Sequence, residues 1–486
     1  MLTYSKALDV RYDVDIFVAG GGPSGLAAAV TAAIAGKSVY LAEASGCFGG
    51  GGTSMLVPYF CKFTNEKEFL SGGFGREVCV AYFGEEGPYR RDWPMHAEKL
   101  KRIYDRFALD AGFQFTFFTR VLDVLKSDAA HVSHVLCGAK TGLFLVKAKY
   151  FLDCTGDADL CAFAGADYEM GDENGLCMGS SLCSTWASID WSRVHGRDDR
   201  ELERAFADHV FQIPDRHLPG IYPTGRTLGG GNIGHAFGID ATDERSVTRG
   251  MLEGRRYTPE YERYYQNYLE GFEQMELTST APLLGIRESR RITCDYRMTR
   301  ADFIARRHHP DDIGAFSYPI DIHESEPTKE ANERFEKDLN TMVYAPGEHY
   351  GIPYRALTPV GLKNVLVAGR SICTDRSMLS SIRVMPCCFI TGQAIGMAAA
   401  MAPEDVHTLD VPALQARLLA IGAVLYPEGT ETRKEEHEGK ASDLFSLPSR
   451  ICSRCILTVK CTSSGSSGRR RPASCISARR PRLASP

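Results

Sequence analysis

The chain has little that would mark it for a membrane, a secretory route or a nucleic acid. Its N-terminus, MLTYSKALDVRYD, has no apolar core of the signal-peptide kind. Sixteen cysteines are scattered without a disulfide-like framework, which suits a reducing cytoplasm. The net charge is −5, and residues 451–486 hold eight Lys or Arg and no acid, so the body is more acidic than the total suggests. An acidic body gives no reason to expect nucleic-acid binding. Long hydrophobic runs are also lacking. Residues 16–35 are broken by glycines, and Val384–Ala402 contains Pro386, Gly392 and Gly396, so a buried helix is expected there and no membrane span. At 486 residues, 44% apolar and 24% charged, the chain has room for two or more domains with a large core.

What is present is concentrated near the start. Asp15–Ala19 is an apolar run of strand length that stops at a glycine-rich turn, with Gly20, Gly22 and Gly25 on G-x-G-x-x-G spacing. The Ala-rich segment Leu26–Ala35 reads as a helix, Ser38–Leu41 as a second strand, and Glu43 follows 18 positions after the last glycine. In this unit the glycines permit the tight turn, backbone approach to a pyrophosphate and close helix–strand packing. The helix N-terminus attracts the phosphates. Glu43 suits a ribose hydroxyl and disfavours a 2′-phosphate. The order strand, turn, helix, strand and acid predicts a dinucleotide site. Gly229–Gly234 matches the same spacing with no strand before it and no amphipathic helix after it, and reads as a loop.

Further on, Met95–Leu109 has helical periodicity. Phe113–Phe118, Val121–Leu125, Val132–Leu136, Leu143–Val146 and Tyr150–Asp153 read as strands. Thr155-Gly156 then lies past the end of a strand, where open α/β sheets bind ligands. Residues 166–350 are irregular and read as a substrate-facing insertion. Leu362–Arg370 is a strand ending near Gly369, Phe389–Met401 a helix with Gly392-Gln393 in its first turn, and Val411–Leu425 a last helix. Residues 427–486 read as a disordered basic tail rich in Cys, Ser and Arg. Cys452 and Cys455 lack the partners a zinc site needs, and no metal site is expected.

These pieces together resemble the bacterial FAD-dependent oxidoreductases whose flavin domain is of the glutathione-reductase type. The matching stretches are DIFVAGGGPSGLAAA, EASGCFGGGG, LDCTGDADLCAFAGA, LLGIRESRRI, YPIDIH and the long block from GIPYRALTP to GQAIGMAAA, over roughly residues 12–426. The resemblance implies an α/β fold: a discontinuous Rossmann-like FAD-binding domain (12–60, 111–165 and 354–426) with an inserted α+β substrate domain (61–110 and 166–353). It implies that Gly20, Gly22 and Gly25 hold the FAD pyrophosphate and Glu43 the adenosine ribose. Gly49, Gly50 and Thr53 lie along the phosphates and flavin, Val121 meets the adenine, and Thr155-Gly156 crosses near the pyrophosphate. Gly369 matches a late strand end that touches FAD, and Gly392-Gln393 a helix start on the pyrimidine side of the flavin ring. Many related flavoproteins have Gly-Asp where this chain has Gly369-Arg370. No C-x-x-x-x-C follows the first glycines and no second nucleotide domain is visible, which argues against a pyridine-nucleotide-driven disulfide reductase.

For the chemistry, the flavin would exchange a hydride with a small organic substrate, and an electron acceptor or donor would complete the cycle. Arg287, in the dense motif Arg287-Glu288-Ser289-Arg290-Arg291, either clamps a carboxylate or carbonyl or belongs to an ion-pair cluster joining the two domains. Arg383 faces flavin or substrate, or braces a loop. His323 is the titrating acid–base candidate, set against a structural histidine. His308-His309 reads as a solvated turn, and Cys387-Cys388 as buried packing. The alternatives are an NAD-linked dehydrogenase using the single Rossmann unit and a non-catalytic flavin-binding scaffold.

Overall fold

A computed structural model describes residue 2 and residues 5–84, 92–195, 199–218 and 220–426; the expected tail, 427–486, lies outside the described residues. Strand β1, Val10–Ala19, runs parallel to β2, Val39–Ala42, with Ile16 opposite Val39. Helix α1, Pro23–Ile34, joins them. It begins earlier than Leu26 because Pro23 opens the first turn, where its missing N–H has no bond to lose. Strand β3, Gln114–Thr116, adds parallel to β2. Strands β4, Arg120–Lys126, and β5, Val132–Ala139, form an antiparallel layer leading to β6, Gly142–Asp153. Two strands expected between 143 and 153 are thus one. Lys147 and Lys149 do not interrupt it, because both alternate outward and pair with Asp13 and Asp15 of β1. Strand β7, Val365–Val367, completes the seven-stranded sheet parallel to β6, so its strands come from three separated stretches of chain.

One sheet face, with Ile16, Val18, Leu41 and Leu152, packs under α1; Phe17, Tyr40, Phe151 and Val365 form the core of the other. Two late helices cover the first face. Helix α2, Arg376–Ile382, turns by 92° into α3, Met385–Met401, whose side chains are buried almost throughout. No single helix among the described residues is long and apolar enough to cross a membrane.

The stretch expected to be irregular is ordered. Ser184–Ala187, Ile221–Pro223, Gly229–Gly231 and Glu276–Thr280 form a second, antiparallel sheet. Gly229–Gly231 is therefore a strand, where a loop was expected. Glycine is needed because a Cβ at Gly230 would lie 2.3 Å from Pro58, and one at Gly229 2.6 Å from Ile189 and Ile221. Beside this sheet a 25-residue helix, Glu244–Tyr268, buries Tyr257, Tyr261, Tyr264 and Tyr265 along one stripe. The His308-His309 turn is also a correction. His309 is buried, and His308 bonds both Asp312 (2.8 Å) and His349 (2.9 Å).

Candidate active site

The glycine-rich turn after β1 has the shape that a diphosphate requires. Gly20 adopts φ +88°, and a Cβ there would lie 2.6 Å from the Cys154 carbonyl oxygen; at Gly25 it would lie 1.8 Å from the Gly20 carbonyl oxygen. These two positions close the turn against β6 and α1. Gly22 differs, since a Cβ would meet nothing within 4 Å. It faces open space at the N-terminus of α1, as a pyrophosphate cradle should. The Gly49–Gly52 turn closes over it: Gly49 donates its N–H to the Gly21 carbonyl (2.8 Å), and a Cβ at Gly50 would lie 3.3 Å from the Gly22 Cα. Glu43, just past β2, accepts from the Gly21 and Ser45 amides, each at 2.6 Å. Each carboxylate oxygen keeps a lone pair for a ribose hydroxyl. These residues fit FAD.

The other cofactor positions divide. Val121 lies in β4 opposite Cys137. Thr155 donates its N–H and hydroxyl to Asp153, and the Gly156 carbonyl accepts from Ser289 (3.1 Å) and Ser371 (2.7 Å), tying the end of β6 to two later segments. Gly369, at φ +80°, donates to the Thr391 hydroxyl (3.1 Å), and Arg370 turns to Asp157. Thr53 is buried with its hydroxyl donated to the Phe48 carbonyl (2.5 Å), so it holds the glycine turn from behind.

Gly392 and Gln393 need correction, because α3 starts at Met385 and both lie inside the helix. A Cβ at Gly392 would lie 2.2 Å from the Ser24 carbonyl oxygen. Gln393 accepts from the Phe74 amide (3.0 Å) and donates to the Gly72 carbonyl (3.2 Å). They pack the helix, and its free N-terminus is at Val384–Met385. A Cβ built at Gly51 would lie 3.7 Å from the Met385 side chain, so this N-terminus lies beside the glycine turns.

Arg383, the C-cap of α2, leads from there to a cavity of about 300 Å³. Its guanidinium donates to the Asp321 carbonyl (3.0 Å) and carboxylate (3.2 Å). Asp321 also accepts from Tyr318 (3.2 Å) and lies 3.5 Å from His323 Nε2. His323 Nδ1 lies 2.9 Å from His235 Nε2, and His235 Nδ1 lies 3.0 Å from Asp215. His217 lies against His235 with ring centroids 4.4 Å apart and the rings tilted by 30°. All three histidines, both aspartates and Tyr59 line the cavity. Burial and then the nearby Arg287 charge push His323 well below the ordinary imidazole range, which keeps it neutral. Burial alone would raise Asp321, but His323, Arg383 and Arg287 outweigh it and hold the carboxylate ionised.

Arg287 stands behind His217 (3.4 Å) and donates to the Gly179 carbonyl (2.7 Å), Ser181 (2.9 Å) and Asn232 (3.0 Å). Burial and then Arg383 bring it down to about 10, still charged at neutral pH. Its neighbours Glu288 and Arg291 form the buried ion-pair cluster. Cys387 and Cys388 are buried free thiols.

Sequence reasoning singled out His323 and missed His217, His235, Asp215 and Asp321. One signal was available: Asp215-Arg216-His217 and Asp321-Ile322-His323 repeat an Asp-x-His pattern.

Comparison with known proteins follows this geometry. Residues 15–418 match the family described as FAD dependent oxidoreductase. A thiamine thiazole synthase from Methanococcus aeolicus is 34% identical over 182 residues, 35% of this chain and 65% of that protein. The chain thus spans less than two thirds of that relative's length. Among solved structures, a geranylgeranyl bacteriochlorophyll reductase-like protein from Thermoplasma acidophilum is similar at 13% identity and TM-score 0.43, over 84% of this chain and 82% of that one. A flavin-dependent brominase is similar at 11% identity and TM-score 0.42, over 84% and 83% of the two chains. The family match decides against both the NAD-linked and the non-catalytic alternatives. With that match over most of its length, and a glycine turn and acid that fit the cofactor, the chain belongs to the FAD-dependent oxidoreductase family.

Proposed function

We propose that this enzyme exchanges a hydride between FAD and a small, oxygen-rich organic substrate held in the histidine-lined cavity. FAD supplies the two-electron chemistry at its ring, and the chain supplies position, charge and exclusion of water. The observation that supports this reading is the line of contacts from the Gly49–Gly52 turn through Met385, Arg383 and Asp321 to His323. Three imidazoles, two carboxylates and the Tyr59 hydroxyl converge on a space the size of a small metabolite. Arg383 fixes Asp321, and Asp321 fixes the ring of His323, so the wall nearest the cofactor is held rigid. Arg287 acts as a brace for His217 and the loop at Gly179. The substrate's electrons then pass to, or come from, a second small partner.

The test is anaerobic. FAD-loaded protein is mixed with a panel of small hydroxy acids, polyols and amino acids, and bleaching of the flavin absorbance is followed. The photoreduced protein is offered the matching oxidised compounds. At least one compound should bleach or restore the flavin in wild type, and His323→Ala should slow it about 100-fold while dithionite still reduces it. A flavin that only dithionite can reduce, and no panel member can reoxidise, would remove the proposal.

A further inference from the structure

The hydrogen-bond partners of the histidines single out one place in the cavity. His235 Nδ1 lies 3.0 Å and 3.2 Å from the two oxygens of the buried Asp215, and His323 Nε2 lies 3.5 Å from the buried Asp321. A ring nitrogen bonded to a carboxylate takes the N–H, as His235 Nδ1 does beside Asp215, which leaves the other nitrogen, His235 Nε2, as a lone pair, while His323 Nε2 at 3.5 Å is within ion-pair distance of Asp321. Those other nitrogens, His235 Nε2 and His323 Nδ1, face each other at 2.9 Å. Without a metal that contact is a hydrogen bond with one proton between the rings, and a cation bound to both nitrogens would displace that proton.

The chain contains a second histidine pair for contrast. His308 Nδ1 bonds Asp312 (2.8 Å) and His308 Nε2 bonds His349 Nδ1 (2.9 Å), but no carboxylate bonds the outer nitrogen of His349 among the described residues. One proton per ring satisfies that chain. Carboxylates at both ends distinguish the cavity pair, and the cavity pair has a third histidine beside it. One ring nitrogen each of His217, His235 and His323 lie within 4.8 Å of one another.

We propose that His217, His235 and His323 form a binding site for a divalent first-row metal ion of the zinc class, whose remaining coordination positions open into the cavity. Three imidazoles with an open position are a donor set for zinc or a neighbouring metal. Asp215 and Asp321 stand where ligating histidines are held by carboxylates from behind. Gly179 fixes the His235 ring, since a Cβ there would lie 2.9 Å from it. Tetrahedral bonds of about 2.1 Å need ligand nitrogens roughly 3.4 Å apart. His235 and His323, at 2.9 Å, therefore part by about half an ångström, and His217 leaves its 3.4 Å contact with Arg287 and swings inward. It is the least buried of the three. With Arg287 beside His217, the open position favours an anionic oxygen, either hydroxide or a substrate carboxylate or alkoxide. An ion there would polarise that oxygen. The site shares the cavity with the proposed function, but its test reads bound metal and not turnover, so either can fail alone.

FAD-loaded protein is assayed for metal as isolated, stripped with a chelator, and titrated calorimetrically with zinc chloride. One zinc ion per chain is expected. His235→Gln should weaken binding at least about tenfold, and Asp215→Asn, which leaves all three ligand nitrogens in place, about 10–100-fold. FAD content should stay unchanged in both. Failure of folded wild-type protein to bind stoichiometric zinc overturns the proposal, as does wild-type affinity in a folded His235→Gln. The wild-type titration decides the matter even if a variant does not fold.

Discussion

Gly22 and Gly25 lie three residues apart in one turn and have different duties. A methyl at Gly25 would collide with the Gly20 carbonyl at 1.8 Å, whereas one at Gly22 meets no protein atom within 4 Å. Gly25→Ala should therefore fail in the protein itself, losing about 3 kcal/mol or more of stability. Gly22→Ala should melt like wild type without cofactor and yet bind FAD at least about tenfold more weakly, a loss of ~1.4 kcal/mol. Melting curves and FAD titration on both variants check this; equal effects on folding would contradict it. A second residue-scale prediction concerns His349, which burial and then His308 push down to about 4. Its folded pKa lies below its unfolded value, so the unfolded state takes the proton first as pH falls. Stability should be flat above about pH 6.5, decline between there and pH 4, and level off below. The full shift would be worth ~3 kcal/mol, and partial exposure of the ring reduces that to about 1–2 kcal/mol. His349→Phe keeps the stacking on Tyr426, where the ring centroids lie 4.3 Å apart, and should flatten that window. The buried Asp312 across the pair is pushed up, the opposite sign, so the wild-type minus variant difference is the quantity to measure.

At the scale of elements, the first strand–turn–helix–strand unit was readable because each part carries its own local signal: period, glycine turn, alanine run and closing acid. The start of α3 was not. Gly392 looked like a glycine at a helix start facing the flavin ring, yet its reason is the crossing with α1, where a Cβ would lie 2.2 Å from the Ser24 carbonyl, as at Gly396 against Ala28 (2.3 Å). A glycine made necessary by a helix 368 residues earlier has no local signature. The helix Glu244–Tyr268, in the stretch expected to be irregular, was missed for a related reason: Gly250, Gly254 and Pro259 interrupt its helical pattern. Both glycines are needed for packing, since a Cβ at Gly250 would lie 2.7 Å from Leu284 and one at Gly254 2.5 Å from Leu182. The histidine cluster is the extreme case. Its members sit at 217, 235 and 323, at spacings that match no metal motif, and only the tertiary fold assembles them. The crossing is testable. Gly392→Ala gains about 1 kcal/mol of helix propensity, but overpacking of ~3 kcal/mol should win. A net loss near 2 kcal/mol in denaturant unfolding is expected; a stabilised variant would show that α1 and α3 do not meet so closely.

For the whole molecule, the proposed function requires the cavity and the dinucleotide turn to be held together although they are built from distant stretches of chain. Glu288 supplies much of the answer. Its side chain is fully buried, pairs with Arg291 and Arg376 and accepts from the Met178 amide (2.9 Å). It thereby joins the segment leading into the second sheet, the Arg287–Arg291 motif and the first turn of α2, which leads through Arg383 into the N-terminus of α3. Next to it, Ser289 holds the Gly156 carbonyl at the end of β6 (3.1 Å). Glu288→Gln keeps the shape and removes the charge, leaving two arginines without their shared carboxylate. Stripping one partner from a buried cluster typically costs about 3–5 kcal/mol. Calorimetric melting should therefore show a large drop for Glu288→Gln, and a second substitution, Arg376→Met, should recover part of it by removing one of the stranded charges. If the two losses simply add, Glu288 is not the junction, and the cavity must be held to the dinucleotide turn by other contacts such as Ser289 on Gly156 and Arg383 on Asp321.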